Sequence, residues 1–214
     1  MKRIRAVILD FDGVLAESNG EKDSAFEEFF ALYPEYAEAM RQYHKEHYTS
    51  SRVVKIAYYV EHLMERPGAQ DLQDRMAGEF SHRVVDRVVN CPEVPGAKSF
   101  LEEFSGVVPL YISSVTPQDE LNRIVRARRI DMHIKEAFGN PPHTKVDAAE
   151  MILKREGLDA EEVAFVGDSA SDYEVALQVG LRFLARDSGQ SFPSADLELF
   201  ADLHGVASRL RTLL

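Results

Sequence analysis

Four short stretches of this chain are almost wholly apolar and rich in β-branched residues: Ile4 to Leu9, Val107 to Ile112, Val163 to Val166 and Leu181 to Leu184. Such runs, without polar alternation, suit strands buried on both faces of a parallel sheet. Each of the first three ends in small or acidic residues and then passes into a helical pattern. This alternation predicts a doubly wound, mainly parallel α/β sheet.

Between Ala16 and Asn90 the pattern changes. No strand-like run occurs, and apolar residues recur at helical intervals. Ala25, Phe26, Phe29 and Phe30 make one apolar face, and Val53, Ile56, Ala57, Val60 and Met64 a second. Pro34 and Pro67-Gly68 punctuate the segment. A helical insertion of about three to five helices is predicted, forming a cap domain over 16–92, with an α/β core domain over 1–15 and 93–214. Pro95-Gly96 opens a helix, Ala97 to Phe104, that leads back into the sheet.

Charge and cysteine content narrow the function classes. The 214 residues carry 25 basic and 36 acidic side chains, a formal charge of −11. That balance opposes nucleic-acid binding and requires a local cation wherever an anionic ligand is to sit. Cys91 is the single cysteine, so an internal disulfide or a thiolate metal cluster is excluded and a reducing compartment fits best. The apolar run after the basic start is broken by Asp10 and Asp12, unlike a secretory signal. No apolar run reaches the about 18 residues that a membrane helix needs. A soluble, cytoplasmic protein with no nucleic-acid or membrane partner is expected.

The candidate chemistry lies at the ends of the predicted strands, where open α/β sheets bind their ligands. Asp10-Phe11-Asp12-Gly13-Val14-Leu15 closes the first strand. Alternation puts both carboxylates on one side, where like charges are costly unless a cation joins them or one is protonated. Taken singly, the segment also suits a solvated Asp-Gly turn. Tyr111-Ile112-Ser113-Ser114 brings hydroxyls to the end of the second strand, where serine also commonly caps helices. Lys145 precedes a helix with Val146, Ala149, Ile152 and Leu153 on its apolar face. Finally, Val166-Gly167-Asp168-Ser169-Ala170-Ser171-Asp172 ends a third buried strand with two more acids. Alone, Asp168 would serve as a helix cap and Asp172 as a solvated charge.

The order and spacing of these four elements resemble the haloacid dehalogenase-like hydrolase superfamily, in its phosphatase and phosphomutase branch with a helical cap inserted after the first strand. The resemblance implies a Rossmann-like core, a phospho-aspartate on Asp10 and Asp12 as general acid and base. It implies phosphate binding by Ser113, Ser114 and Lys145. It also implies a magnesium site built from Asp10, Asp12 (through its backbone carbonyl), Asp168 and Asp172. An acid two positions after the nucleophile separates this branch from the dehalogenases and phosphonate-cleaving enzymes, and favours phosphate ester cleavage or transfer. A small phosphorylated metabolite is the expected substrate, acted on by a monomer or homodimer.

Within the cap, Tyr43 to Arg52 gathers polar and basic side chains, and Lys55 follows one turn later. Arg52 and Lys55 are candidates to face the substrate, although a polar helix face behind a Ser N-cap fits as well. His62, His82, His133 and His204 lack metal-ligand spacing. Arg186-Asp187-Ser188-Gly189 could line the rim of the site or form a plain turn. Three rivals remain: a phosphomutase on the same core, a response-regulator-like phospho-acceptor, which the large insertion disfavours, and a degenerate binding protein.

Overall fold

A computed structural model describes residues 2–214. The chain divides into two compact units: one joins the residues up to Glu17 with Pro92–Leu214, and the other is Ser18–Cys91.

The first unit holds one sheet. Its strands are β1 (Ala6–Leu9), β2 (Leu110–Ser114), β3 (Glu136–Gly139), β4 (Val163–Gly167), β5 (Arg182–Arg186) and β6 (Leu199–Phe200). They lie in the order β3-β2-β1-β4-β5-β6, with every neighbouring pair parallel. β1 is therefore central, pairing Val7 with Leu110 on one side and with Ala164 on the other. All four of its residues are buried, as are all five of β2 and of β4. This explains why the three runs show no polar alternation.

The helices of this unit are α5 (Ala97–Phe104), α6 (Gln118–Ala127), α7 (Lys145–Glu156), α8 (Ala170–Val179) and α9 (Leu203–Arg211). α7 and α8 pack on one face of the sheet, where Ala148, Ala149, Ile152 and Ala176 meet Ala6, Ile8, Tyr111 and Phe165. α5 and α9 pack against each other, and α9 also against β5. The strand order reverses beside β1, where such sheets open a crevice at their carboxyl ends.

The second unit is helical: α1 (Asn19–Phe30), α2 (Ala37–Glu46), α3 (Arg52–Tyr58), a π-helical turn (Tyr59–Leu63) and α4 (Gln70–Asn90). The predicted face of Ala25, Phe26, Phe29 and Phe30 is buried in full, and Phe26 and Phe29 meet Phe80 of α4 at ring distances of 4.3 and 5.8 Å. The second predicted face holds only in part. Ile56 and Val60 are buried, but Val53 is 41% exposed. The buried stripe runs instead through Arg52, Lys55, Ile56, Tyr59 and Val60, an unbroken helical spacing in which two basic residues hold inward positions and Val53 falls to the side. The π-helical turn begins only at Tyr59, where the Met64 N–H bonds to the Tyr59 carbonyl five residues back. Ser51 is the N-cap of α3 and accepts a hydrogen bond from Val54 N–H, the capping role that serine favours.

Candidate active site

β1 delivers the first acids. The Asp10 N–H donates to the Val166 carbonyl at 2.9 Å, continuing the β1–β4 ladder one residue beyond the strand. Oδ1 of Asp10 accepts from the Phe11 N–H at 2.7 Å, which fixes its rotamer. The chain then turns at Gly13, whose φ of 68° lies in the left-handed region that a side chain disfavours. The Gly13 N–H closes the turn on the Ala16 carbonyl at 2.8 Å. Asp12 lies on the same loop, and Ser114 Oγ, at the end of β2, donates to its Oδ2 at 3.4 Å. Ser114 Oγ also accepts from the Thr116 N–H. Ser113 is buried one residue earlier in the strand, where alternation turns its side chain to the opposite face. Neither serine caps a helix, because α6 begins only at Gln118 behind Pro117.

The second group of acids is placed by a helix start. Ser169 is the N-cap of α8, and Asp172 completes a capping box as the third helical residue. Asp172 Oδ2 accepts from Ser169 Oγ at 2.7 Å and from the N–H groups of Asp168 and Ser169 at 3.2 Å each. Asp172 is therefore neither solvated nor redundant; it is fully buried. Gly167 is required by this arrangement, since a Cβ there would lie 2.4 Å from the Asp172 Cβ.

Lys145 joins the two groups. It opens α7 behind the N-cap Thr144, and its Nζ lies 3.0 Å from Asp10 Oδ2 and 2.5 Å from Asp172 Oδ1. Asp10, Asp12, Lys145, Asp168 and Asp172 are all more than nine-tenths buried. The electrostatics follow from that burial. Loss of water raises the pKa of Asp10 well above its usual value; Lys145 opposes the rise, and Asp172, Asp168 and Asp12 add to it. For Lys145 burial favours the neutral amine, yet Asp10 and Asp172 outweigh burial and raise its pKa.

The acids outnumber the lysine, so the pocket has unbalanced negative charge. One oxygen each from Asp10, Asp168 and Asp172 can lie within 4.8 Å of one another. Buried hard oxygens at that spacing suit a divalent cation such as magnesium, which accepts carboxylate oxygens and completes its shell with water. The Asp12 carboxylate is not in this group. Asp172 also accepts from protein donors on both oxygens, from Lys145 on one and from Ser169 on the other.

The sequence carries the matching signature over most of its length. A family model for haloacid dehalogenase-like hydrolases matches residues 4–180. The chain belongs to that family. No curated protein sequence matches this hydrolase, but solved structures do. A predicted phosphoglycolate phosphatase from Haemophilus somnus 129PT superposes with a TM-score of 0.74 at 17% identity, covering 100% of both chains. CbbY from Rhodobacter sphaeroides, in complex with xylulose-1,5-bisphosphate, gives 0.70 at 19% identity over 93% of this hydrolase and 94% of CbbY. A subfamily IA hydrolase from Geobacter sulfurreducens gives 0.63 at 20% identity, covering 97% and 96% of the two chains. Among the described residues no helix is long and apolar enough to cross a membrane.

Arg52 and Lys55 lie in the helical unit of the hydrolase, and both are buried. The Lys55 Nζ donates to the Tyr48 carbonyl at 2.9 Å, lies 3.1 Å from His44 Nδ1, and sits 4.9 Å from the centre of the Phe26 ring. Burial pushes its pKa down to about 8, partly offset by Asp23. The Arg52 guanidinium rests over the Phe80 ring at 5.2 Å. These contacts tie both side chains into the packing of the unit. Conversely, the segment after β5 reaches the acid loops. Arg186 bonds to the Gly13 carbonyl, Ser188 Oγ donates to the Asp168 carbonyl, and Gln190 Nε2 donates to Asp168 Oδ2. In sequence this stretch has only the look of a polar turn; its one signal is an arginine ending an apolar strand.

Proposed function

We propose that this hydrolase is a magnesium-dependent phosphatase that cleaves a small phosphomonoester through a phospho-aspartate on Asp10. The observation that carries this reading is the lysine bridge. Lys145 contacts a carboxylate oxygen of Asp10 at 3.0 Å inside a buried cluster of acids. A carboxylate so placed is held next to a positive charge that can receive the phosphoryl oxygens. In phosphoryl transfer, positioning and neutralisation of the equatorial oxygens are the main tasks.

Asp10 attacks phosphorus, forming an acyl phosphate as the bond to the leaving oxygen breaks. Asp12, one turn of loop away, gives its proton to that leaving oxygen. A water then attacks the phosphorus of phospho-Asp10, Asp12 takes its proton, and inorganic phosphate departs with Asp10 restored. Lys145 and the hydroxyls of Ser113 and Ser114 donate to the transferring group, Ser113 following directly on the pairing of Leu9 with Ile112 and so lying beside Asp10, and Ser114 reaching Asp12. Asp10, Asp168 and the Asp12 carbonyl would hold magnesium, which neutralises charge on the phosphoryl oxygens when bound. The ligands and names of the structural relatives, a sugar bisphosphate and a phosphoglycolate phosphatase, support a small phosphorylated metabolite as substrate.

The test is phosphate release from a panel of phosphomonoesters, with magnesium or with chelator, for wild type and Asp10→Asn. Magnesium-dependent release that Asp10→Asn abolishes is the expected result. Full activity in Asp10→Asn would overturn the mechanism, and isomerised product without phosphate release would make the enzyme a mutase.

A further inference from the structure

The loop after β5 is braced against both acid-bearing loops, and Arg186 is its anchor. Its Nη1 donates to the Gly13 carbonyl at 3.1 Å and to Glu17 Oε2 at 3.3 Å, while Nη2 donates to Glu17 Oε1 at 2.5 Å. Gly13 directly follows Asp12, and its own N–H is already fixed to Ala16. The guanidinium therefore closes the turn from its open side and ties it to the carboxylate at the turn's far end. The planar fork of arginine holds its donors at fixed positions that meet a carbonyl and both oxygens of a carboxylate; the single, freely rotating ammonium of lysine has no such fixed geometry.

Stability alone does not account for this placement. Arg186 is buried, and its Nε has no hydrogen-bond partner. A buried donor left unmade costs free energy, which a residue chosen only for packing would avoid. Farther along the same loop, Ser188 and Gln190 hold Asp168 by its carbonyl and its carboxylate. The end of β5 and the loop after it thus touch the first acid loop at Gly13 and, just beyond β4, Asp168.

Resting on the phosphatase reading above, we propose that Arg186 is a positioning residue that holds the Asp12 loop so that Asp12 can protonate the leaving oxygen. Its task is then felt most where that proton matters most. An alkyl phosphate releases a strongly basic alkoxide and needs the proton, whereas p-nitrophenyl phosphate releases a stable phenolate and needs it little.

The experiment compares kcat/KM for an alkyl phosphomonoester and for p-nitrophenyl phosphate in wild type, Arg186→Lys and Glu17→Gln, all as the full chain with magnesium. Arg186→Lys is expected to lose about tenfold or more on the alkyl ester beyond its loss on p-nitrophenyl phosphate. Glu17→Gln, which keeps the shape of the clasp but removes its charge, should shift the same ratio in the same direction, by less. It also provides the reading if Arg186→Lys does not fold. Equal losses on both substrates would reveal a merely structural role and overturn the proposal, as would no loss at all. A wild type inert toward both esters would instead refute the phosphatase reading, and this inference with it.

Discussion

Lys145 shows how one side chain can be read two ways in sequence and only one way in space. A lysine at the first position of a helix is ordinarily a solvated charge. Here its Nζ bridges Asp10 and Asp172 inside the protein, and its removal would leave two carboxylates buried without their cation. Lys145→Met is therefore expected to lower the unfolding free energy by about 3–5 kcal/mol in chelator, as measured by urea denaturation. Magnesium should restore part of that loss if the acids bind it; an unchanged midpoint with and without magnesium would count against the metal site. Asp12 makes the complementary case. Its carboxylate stands apart from the acids that converge on a cation site and meets Ser114 instead. Asp12→Asn should cost about a hundred- to ten-thousand-fold in kcat without changing magnesium affinity, which calorimetric titration would show.

At the level of single elements, the site depends on how α8 begins. The capping box of Ser169 and Asp172 both starts the helix and aims Asp172 at Lys145. Ser169→Ala should cost about 0.5–2 kcal/mol of stability and also reduce turnover, because Asp172 loses a partner at 2.7 Å; thermal melts and kcat measured together would test this. The strand ends are legible in sequence because β1, β2 and β4 are buried on both faces and end in acids or hydroxyls. β3 and β6 are not. β3 is four residues at the sheet edge, half of them only partly buried, and β6 is two residues long; neither carries a continuous apolar run. The helical face of Phe26 and Phe30 is equally clear, while the face containing Val53 misleads because the inward stripe of that helix begins with two basic residues, Arg52 and Lys55, which an apolar pattern assigns to the outside. The grip of the β5 loop on the acids is hidden for a different reason. It depends on Arg186 and Gly13 meeting across 173 residues of chain, which no local pattern encodes.

Across the whole molecule, ionisation and topology set behaviour that no single contact does. Burial lowers the Lys55 pKa from 10.5 to about 8, so the folded state releases this proton more readily than the unfolded chain. Stability from this group consequently rises as pH climbs from about 8 to 10.5 and is flat below that window. The stability difference between wild type and Lys55→Met should move in favour of wild type across the same window, by about 1.4 kcal/mol per pKa unit at most; denaturation at pH 7.5 and pH 10.5 would check it. Topology matters in another way, because the central strand is made first and paired late. β1 must wait for Leu110 on one side and for Val163 on the other. A ribosome adding about 5–20 residues per second leaves this apolar tetrapeptide without a partner for seconds, while the intervening helices can already fold from local contacts. On the growing chain, Ala6–Leu9 is thus the segment most in need of a chaperone's protection.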